Sequence, residues 1–325
     1  MLGSRVLGSC KILAVHRFGA AWIVVVAGGG LLGAVPAGQR SAPAPASADL
    51  VELDVVVLDR VEQPVSNLRQ EDFTIKEDGH VVDVKTFAHV SALGSLQPDD
   101  ARSVTLLLDD IGVSITGTSA MQAIAQVMLS PSERGDEISV VRLSSRSDEA
   151  FGDVGTARDR IGGYRGGMVP FSRRDTPETV LKMVTKISRQ LEAVEHRRKI
   201  IICVGLPVVC DPEEPLLTGT SVLWPHWVAA LTAAARANVS VYCLDPTGLN
   251  QRATSRGVGL VRLTGGELFT NSNDFVSAAH AMWRDAGRYY LLGYWPSAGK
   301  RELHGIEVSV ARKDLHLRVR RRRGE

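Results

Sequence analysis

Polar and apolar positions follow two different grammars along this chain. VELDVVVL (51–58) mixes alternation with a β-branched run. Gln63-Pro64 and a polar stretch follow, then FTIKEDGHVVDVKTF, in which Asp78-Gly79 predicts a hairpin turn between alternating strands. An all-β module of about 45 residues is too short to be stable unless it finds more strands.

From Ser103 the pattern changes. SVTLLLDD is a short apolar run ending in two aspartates, as expected of a buried parallel strand. A helix is predicted from about Thr118 to Leu129, a strand over EISVVRLSS (137–145), and a glycine-rich stretch around Gly162–Gly167. Asp175-Thr176-Pro177-Glu178 opens the clearest helix, with an N-cap, a proline in the first turn, and Val180, Val184, Ile187, Leu191 and Val194 on one face. KIIICVG (199–205) and VSVYCLD (239–245) read as further buried strands. Between them a helix over roughly 222–237 turns Trp224, Trp227, Val228, Leu231 and Ala235 inward. Phe275–Ala286 reads as a closing helix. Strands alternating with helices imply right-handed crossovers and a parallel sheet covered on both faces. The chain then returns to strands with RYYLLGYWP, GIEVSVAR and LHLRVRR. The α/β unit has no place for these three, and the first module lacks strands. The N- and C-terminal segments are therefore expected to pair into one β-sandwich.

Composition adds compartment and excludes some functions. Hydrophobic residues make up 44% of 325, enough for a real core. The net charge of +2 is unevenly placed. Arg5, Lys11 and Arg17 stand in residues 1–37 without an acid, and residues 312–325 carry seven bases against two acids, so the body between is acidic. An acidic body with a basic tail argues against a nucleic-acid partner. Residues 1–37 read as a signal peptide: three bases lead into the apolar run Phe18–Pro36, with small residues Val35 and Ala37 at its end. An uncleaved anchor is the alternative, weakened by Gly28–Gly30. Both imply export to the periplasm or beyond. Residues 38–49, rich in Pro, Ala and Ser, read as a linker. Cys203 and Cys243 lie in apolar runs and are expected as buried free thiols, Cys10 lies in the leader, and a disulfide involving Cys210 is left open. No cysteine or histidine spacing suggests zinc.

Catalytic signatures are missing. There is no Gly-x-Ser-x-Gly, His-Glu-x-x-His or Walker A pattern, and no nucleophile–base pair in a recognisable context, so an enzyme is not expected. His196 with Arg197-Arg198-Lys199 reads as a helix-end surface cluster. Tyr289, Tyr290, Tyr294 and Trp295 read as sandwich packing. Arg318 and Arg320–Arg323 read as a solubilising tail or strand-edge guard, with an anionic envelope surface as the other use.

Two stretches carry a family likeness. VVVLDRVEQPVSNLRQEDFTIKEDGHVVDVKTF has an apolar strand, a Pro-Val-x-x-Leu step, Glu-Asp-Phe and an Asp-Gly turn. VYCLDPTGL, TGGELFTNSNDF and YYLLGYWP follow in order, closed by a basic strand. Together these resemble bacterial von Willebrand factor A-related proteins, particularly the family abundant in Acidobacteria, over about residues 50–323. The resemblance implies a von Willebrand A domain, Rossmann-like with a mainly parallel sheet and helices on both faces, flanked by the β-sandwich. The expected boundaries are signal 1–37, linker 38–49, sandwich 50–95, von Willebrand A unit 101–286 and sandwich again 287–323.

The resemblance also implies a cation site at the C-terminal edge of the sheet, built from an Asp-x-Ser-x-Ser loop with a Thr and an Asp from later loops. Hard Mg²⁺ wants octahedral oxygen donors. Read from Asp110, the loop offers Asp110, Gly112 and Ser114; read from Asp109, it offers Asp109, Ile111 and Val113. Met168, Val169 and Pro170 stand where the threonine is expected, IIICVGLPVV runs on where Thr-Asp-Gly would stand, and Asp211 comes late. Asp109, Asp110 and Ser114 are thus the remnant of a degenerate metal site, with Mg²⁺ or Ca²⁺ bound weakly and no other cofactor. The alternative is that both aspartates hold loop amides. Asp245, before Pro246 and Gly248, reads as a turn former. The expected function is an exported, non-catalytic module that binds or adheres to a protein partner. The rival is an envelope scaffold or accessory subunit whose sandwich and basic tail make the contacts.

Overall fold

The computed structural model describes residues 50–91, 102–133, 135–145, 150–167, 176–194, 198–205, 222–249, 258–296 and 303–324. The expected leader, Cys10, Cys210, Asp211, His196 and Met168–Pro170 lie outside the described residues.

The first module supplies β1 (Val51–Leu58), β2 (Phe73–Glu77), β3 (His80–Val82) and β4 (Thr86–Ser91). Asp78 and Gly79 both take positive φ, 49° and 83°, which is the backbone a two-residue hairpin turn demands. The α/β unit follows with β5 (Arg102–Leu108), α1 (Thr118–Met128), β6 (Glu137–Arg142), α2 (Val154–Gly162), α3 (Thr176–Glu192), β7 (Arg198–Val204), α4 (Trp224–Arg236), β8 (Val239–Leu244), α5 (Val258–Leu263), β9 (Leu268–Phe269) and α6 (Phe275–Gly287). The chain ends in β10 (Arg288–Tyr294), β11 (Leu303–Val310), β12 (His316–Arg318) and β13 (Arg322–Gly324). LHLRVRR (315–321) holds the short β12, β13 follows just beyond it, and β13, α2, α5 and β9 were not anticipated. Among the described residues, no helix is long and apolar enough to cross a membrane.

The five parallel strands run in the order β6-β5-β7-β8-β9. Side chains alternate between two apolar layers. Leu107, Ile201, Cys203, Val241 and Cys243 meet Leu181, Val184, Ile187 and Trp227 from α3 and α4. Leu106, Leu108, Ile200, Ile202 and Tyr242 meet Met121, Ala125 and Trp283 from α1 and α6. The result is a mixed α/β architecture with helices on both faces of the sheet. In α4, Trp224 and Val228 are only half-buried, and Ala230, Ala233 and Ala234 carry more of the buried face than expected.

Two antiparallel sheets, β12-β1-β10-β4 and β13-β11-β2-β3, are each built from N- and C-terminal segments. Leu53, Val55 and Val57 share one core with Phe73, Ile75, Tyr290, Leu292, Tyr294 and Ile306. The Pro-Val-x-x-Leu step is held by one hydroxyl: Tyr290 donates to the Val65 carbonyl (2.9 Å) and accepts from the Leu68 amide (3.0 Å). Trp295 does not join this core and is 54% exposed. The opposite face of β1 is turned to the α/β unit, which is why all of Leu53–Leu58 is buried.

Buried arginines fasten that junction. Arg198, at the start of β7, pairs with Asp54 of β1 and lies over the Tyr289 ring at 5.1 Å. It is thus a buried strand residue and not part of a surface cluster at a helix end. Arg318 pairs with Asp285, Glu267 and Glu62 (2.7 Å). Arg320 is 7% exposed and donates to the carbonyls of Ala235 and Glu52. Arg321 and Arg322 are the tail arginines whose side chains are exposed among those described.

Candidate functional site

Strand order locates the first place to look. Strand order reverses at β5: the chain passes from β5 to β6 on one side and then crosses back to β7 on the other. Outward-diverging crossovers leave a crevice above the carboxyl ends of strands at such a switch point, and open α/β sheets bind ligands there. Here the crevice lies between the ends of β5 and β7, where Asp109 faces Gly205.

Asp109 is 5% exposed. Its Oδ1 accepts from the amides of Ile111 (3.0 Å) and Gly112 (2.6 Å), which turns the chain sharply out of β5. Its Oδ2 is buried and has no hydrogen-bond partner among the described residues. Two glycines make room for this carboxylate. A Cβ at Gly205 would stand 2.4 Å from the Asp109 Cβ, and one at Gly112 would stand 2.5 Å from Oδ2. The Asp109 side chain therefore leans across the end of β7, under an exposed glycine.

Asp110 is fully buried and faces the other way. Its two oxygens accept from the amide (2.9 Å) and hydroxyl (2.5 Å) of Ser144, just beyond β6. Tyr164 donates its hydroxyl to the Asp109 carbonyl at 2.7 Å. Burial, reinforced by the charges of Asp109 and Asp110, pushes the Tyr164 pKa up, so this hydroxyl stays a donor. The glycine-rich stretch joins the same loop, with the Gly167 amide donating to the Asp110 carbonyl (3.0 Å). Asp245, at the end of β8, accepts at Oδ1 from the Thr247 amide (2.9 Å) and hydroxyl (2.7 Å), the expected turn.

Ser114 is exposed, and its hydroxyl is 2.9 Å from that of Thr116. The three residues singled out as metal ligands are thus brought to one edge of the sheet but not into one shell. Both Asp110 oxygens are engaged, Ser114 points elsewhere, and only Asp109 Oδ2 is left as an unpartnered donor. Among the described residues no three of His, Cys, Asp and Glu come together as a metal cage. Among the described residues, the donors at this edge do not fill the octahedral oxygen shell of Mg²⁺ or the larger one of Ca²⁺.

Sequence reasoning missed Ser144, Tyr164 and Gly205. Each had a weak signal: a hydroxyl just past a strand, a lone aromatic among glycines, a glycine closing an apolar run. None says which carboxylate it meets. Around the crevice, two apolar side chains stand in solvent on the loops that leave β5 and β8: Ile115 is 72% exposed and Leu249 is 70% exposed.

No family model matches the chain, and no curated protein matches it. Solved structures do. Proximal thread matrix protein 1 from the mussel byssus is 16% identical over 60% of this chain and 48% of its own, with a TM-score of 0.36. The human COPII-coat protein Sec24c is 12% identical over 82% of this chain and 49% of its own, at 0.37. The manganese-loaded Plasmodium vivax TRAP protein is 9% identical over 75% of this chain and 97% of its own, at 0.34. The chain spans about half the length of the first two. At these values none of the three fixes a family or a role.

Proposed function

We propose that the chain is an exported, von Willebrand A-like module that docks a protein partner at the C-terminal edge of its parallel sheet, without catalysis and without depending on a metal. The observation that carries the reading is the Asp109 carboxylate: it sits at the switch point, buried, with one oxygen unpartnered. A buried oxygen in that state costs roughly 1–3 kcal/mol, and a fold keeps such a cost where a bound group relieves it. Ile115 and Leu249 supply exposed apolar area on neighbouring loops, the usual companion of a docking patch. The tail is a poorer candidate for the contact surface, because Arg318 and Arg320 are engaged inside the protein.

The test is capture from the native cell envelope by the full chain, with and without Mg²⁺, compared with Asp109→Asn, Ile115→Asp and an Arg321→Ala/Arg322→Ala double variant. Loss of the captured protein with the first two, retention with the third, and no dependence on Mg²⁺ are expected. Loss only with the arginine variant would replace this reading by the envelope-scaffold one. Capture that requires Mg²⁺ would restore a working cation site.

A further inference from the structure

Two cysteines stand side by side in the sheet. Cys203 of β7 and Cys243 of β8 are direct partners in the parallel register. Register partners in a parallel pair project to the same face, and both lie in the apolar layer under α3 and α4. Both are free and buried, 9% and 5% exposed. The neighbouring Cys243 thiol and burial push the Cys203 thiol above its ordinary range.

We propose that Cys203 and Cys243 are a reversible disulfide-forming site, oxidised by thiol–disulfide exchange. Neighbouring strands run about 4.8 Å apart, inside the roughly 4.4–6.8 Å that separates the Cα atoms of a disulfide, so register partners can be bridged without displacing either strand. Thiol–disulfide exchange then reverses the bond when a small thiol is in excess. Its position gives it leverage. Gly205 and Asp245 follow the two cysteines by two residues each, and the Gly205 amide already donates to the Leu244 carbonyl at 3.1 Å. The bond therefore fastens the ends of β7 and β8 just before Gly205 and Asp245.

The exchange balances with a small organic disulfide as oxidant. One cysteine thiolate attacks a sulfur of the reagent and releases one reagent thiolate, which takes up a proton. The second cysteine gives its proton to water, attacks the protein sulfur of the mixed disulfide and releases the other reagent thiolate. Two electrons pass from the cysteines to the reagent, which leaves as two thiols.

The experiment uses the full chain in oxidised and reduced glutathione at graded ratios. The protein is quenched in acid, its remaining thiols are alkylated under denaturing conditions, and crosslinked peptides are mapped by mass spectrometry. A peptide joining Cys203 to Cys243 is expected, with the loss of two hydrogen atoms and full reversal by dithiothreitol. The proposal is overturned if both thiols remain alkylatable at the most oxidising ratio. It is equally overturned if either cysteine is found only as a glutathione adduct or joined to Cys10 or Cys210. A Cys243→Ala variant sets the baseline, since the main comparison needs only the intact pair.

Discussion

The two ends of the parallel sheet handle buried charge in opposite ways. At the amino end of the sheet each of these buried acids has a cation: Asp54 has Arg198 and Asp285 has Arg318 across the junction with the antiparallel strands, with Arg284 at 3.8 Å from Asp285. Asp136 has Arg102 within the α/β unit. At the carboxyl end, Asp109, Asp110 and Asp245 are 5%, 0% and 3% exposed, and none has an ion-pair partner among the described residues. Amides and hydroxyls hold them instead. A buried pair is costly to break because the survivor keeps its charge and loses its partner. A carboxylate held by amides is already adapted to having no counter-ion. The first arrangement fixes one body to another; the second leaves negative charge in place at the open end.

The comparison breaks most visibly at the junction. Asp54→Ala strands the Arg198 guanidinium in an apolar setting and is expected to destabilise by about 3–5 kcal/mol, read from the denaturant midpoint. A loss under 1 kcal/mol would mean that the junction is not held by charge. Next comes Gly205→Ala. Its Cβ would overlap the Asp109 side chain at 2.4 Å, so the loop must shift, at a cost of about 1–3 kcal/mol. Combining it with Asp109→Gly should recover most of that loss, and failure to recover would place the strain elsewhere.

The sequence carried the fold further than the site. Solid apolar runs such as KIIICVG mark buried parallel strands whatever their neighbours are, and the 3.6-residue stripe from Val180 to Leu191 is legible alone. That two β segments so far apart pair with each other followed from counting strands that could not bury a face separately. The role of Arg198 was illegible, because a basic run looks the same whether it meets solvent or Asp54 from more than a hundred residues away. The same holds for Ser144 and Asp110. In the metal loop, motif frames asked which residues survive, whereas geometry asks which oxygens remain unpartnered. Asp109 Oδ2 answers only the second question.

A smaller effect belongs to the acids around Arg318. Burial raises the Glu267 and Asp285 carboxyls above their ordinary range, against the opposing pull of Arg318. For a group with a raised folded pKa, the native state binds the extra proton. Its contribution is full below the unfolded value and is lost as pH rises through the folded one. Glu267→Gln should therefore flatten the fall in stability between the ordinary glutamate range and neutrality. Chemical denaturation at several pH values checks this, and an unchanged slope would show that Glu267 does not report the junction. The exposed caps Asp153 and Asp274, whose carboxyls are lowered by hydrogen bonds from Thr156 and Ser277, act in the opposite sense at lower pH in both proteins.

The smallest expected change in stability is the one that bears most on function. Asp109→Asn keeps an oxygen at Oδ1 to accept from Ile111 and Gly112, and it replaces the unpartnered Oδ2 by an NH₂ group. Two terms oppose each other. The amide oxygen accepts less strongly than a carboxylate, which weakens two hydrogen bonds; removing a buried negative charge without a counter-ion relieves desolvation. Each term is about 1 kcal/mol, so the net change should stay within about 1 kcal/mol of zero, and its sign shows which wins. Binding to a partner should nevertheless fall, because the negative charge at the switch point is gone. Thermal melting with and without millimolar Mg²⁺ sharpens the point. A ligand of the native state raises stability by RT ln(1 + [L]/Kd), and a site with one unpartnered carboxylate oxygen should show almost no shift in either protein. A large Mg²⁺ shift that Asp109→Asn abolishes would overturn the distinction between the two ends of the sheet. Asp109 would then have a counter-ion after all, supplied from solution instead of by an arginine.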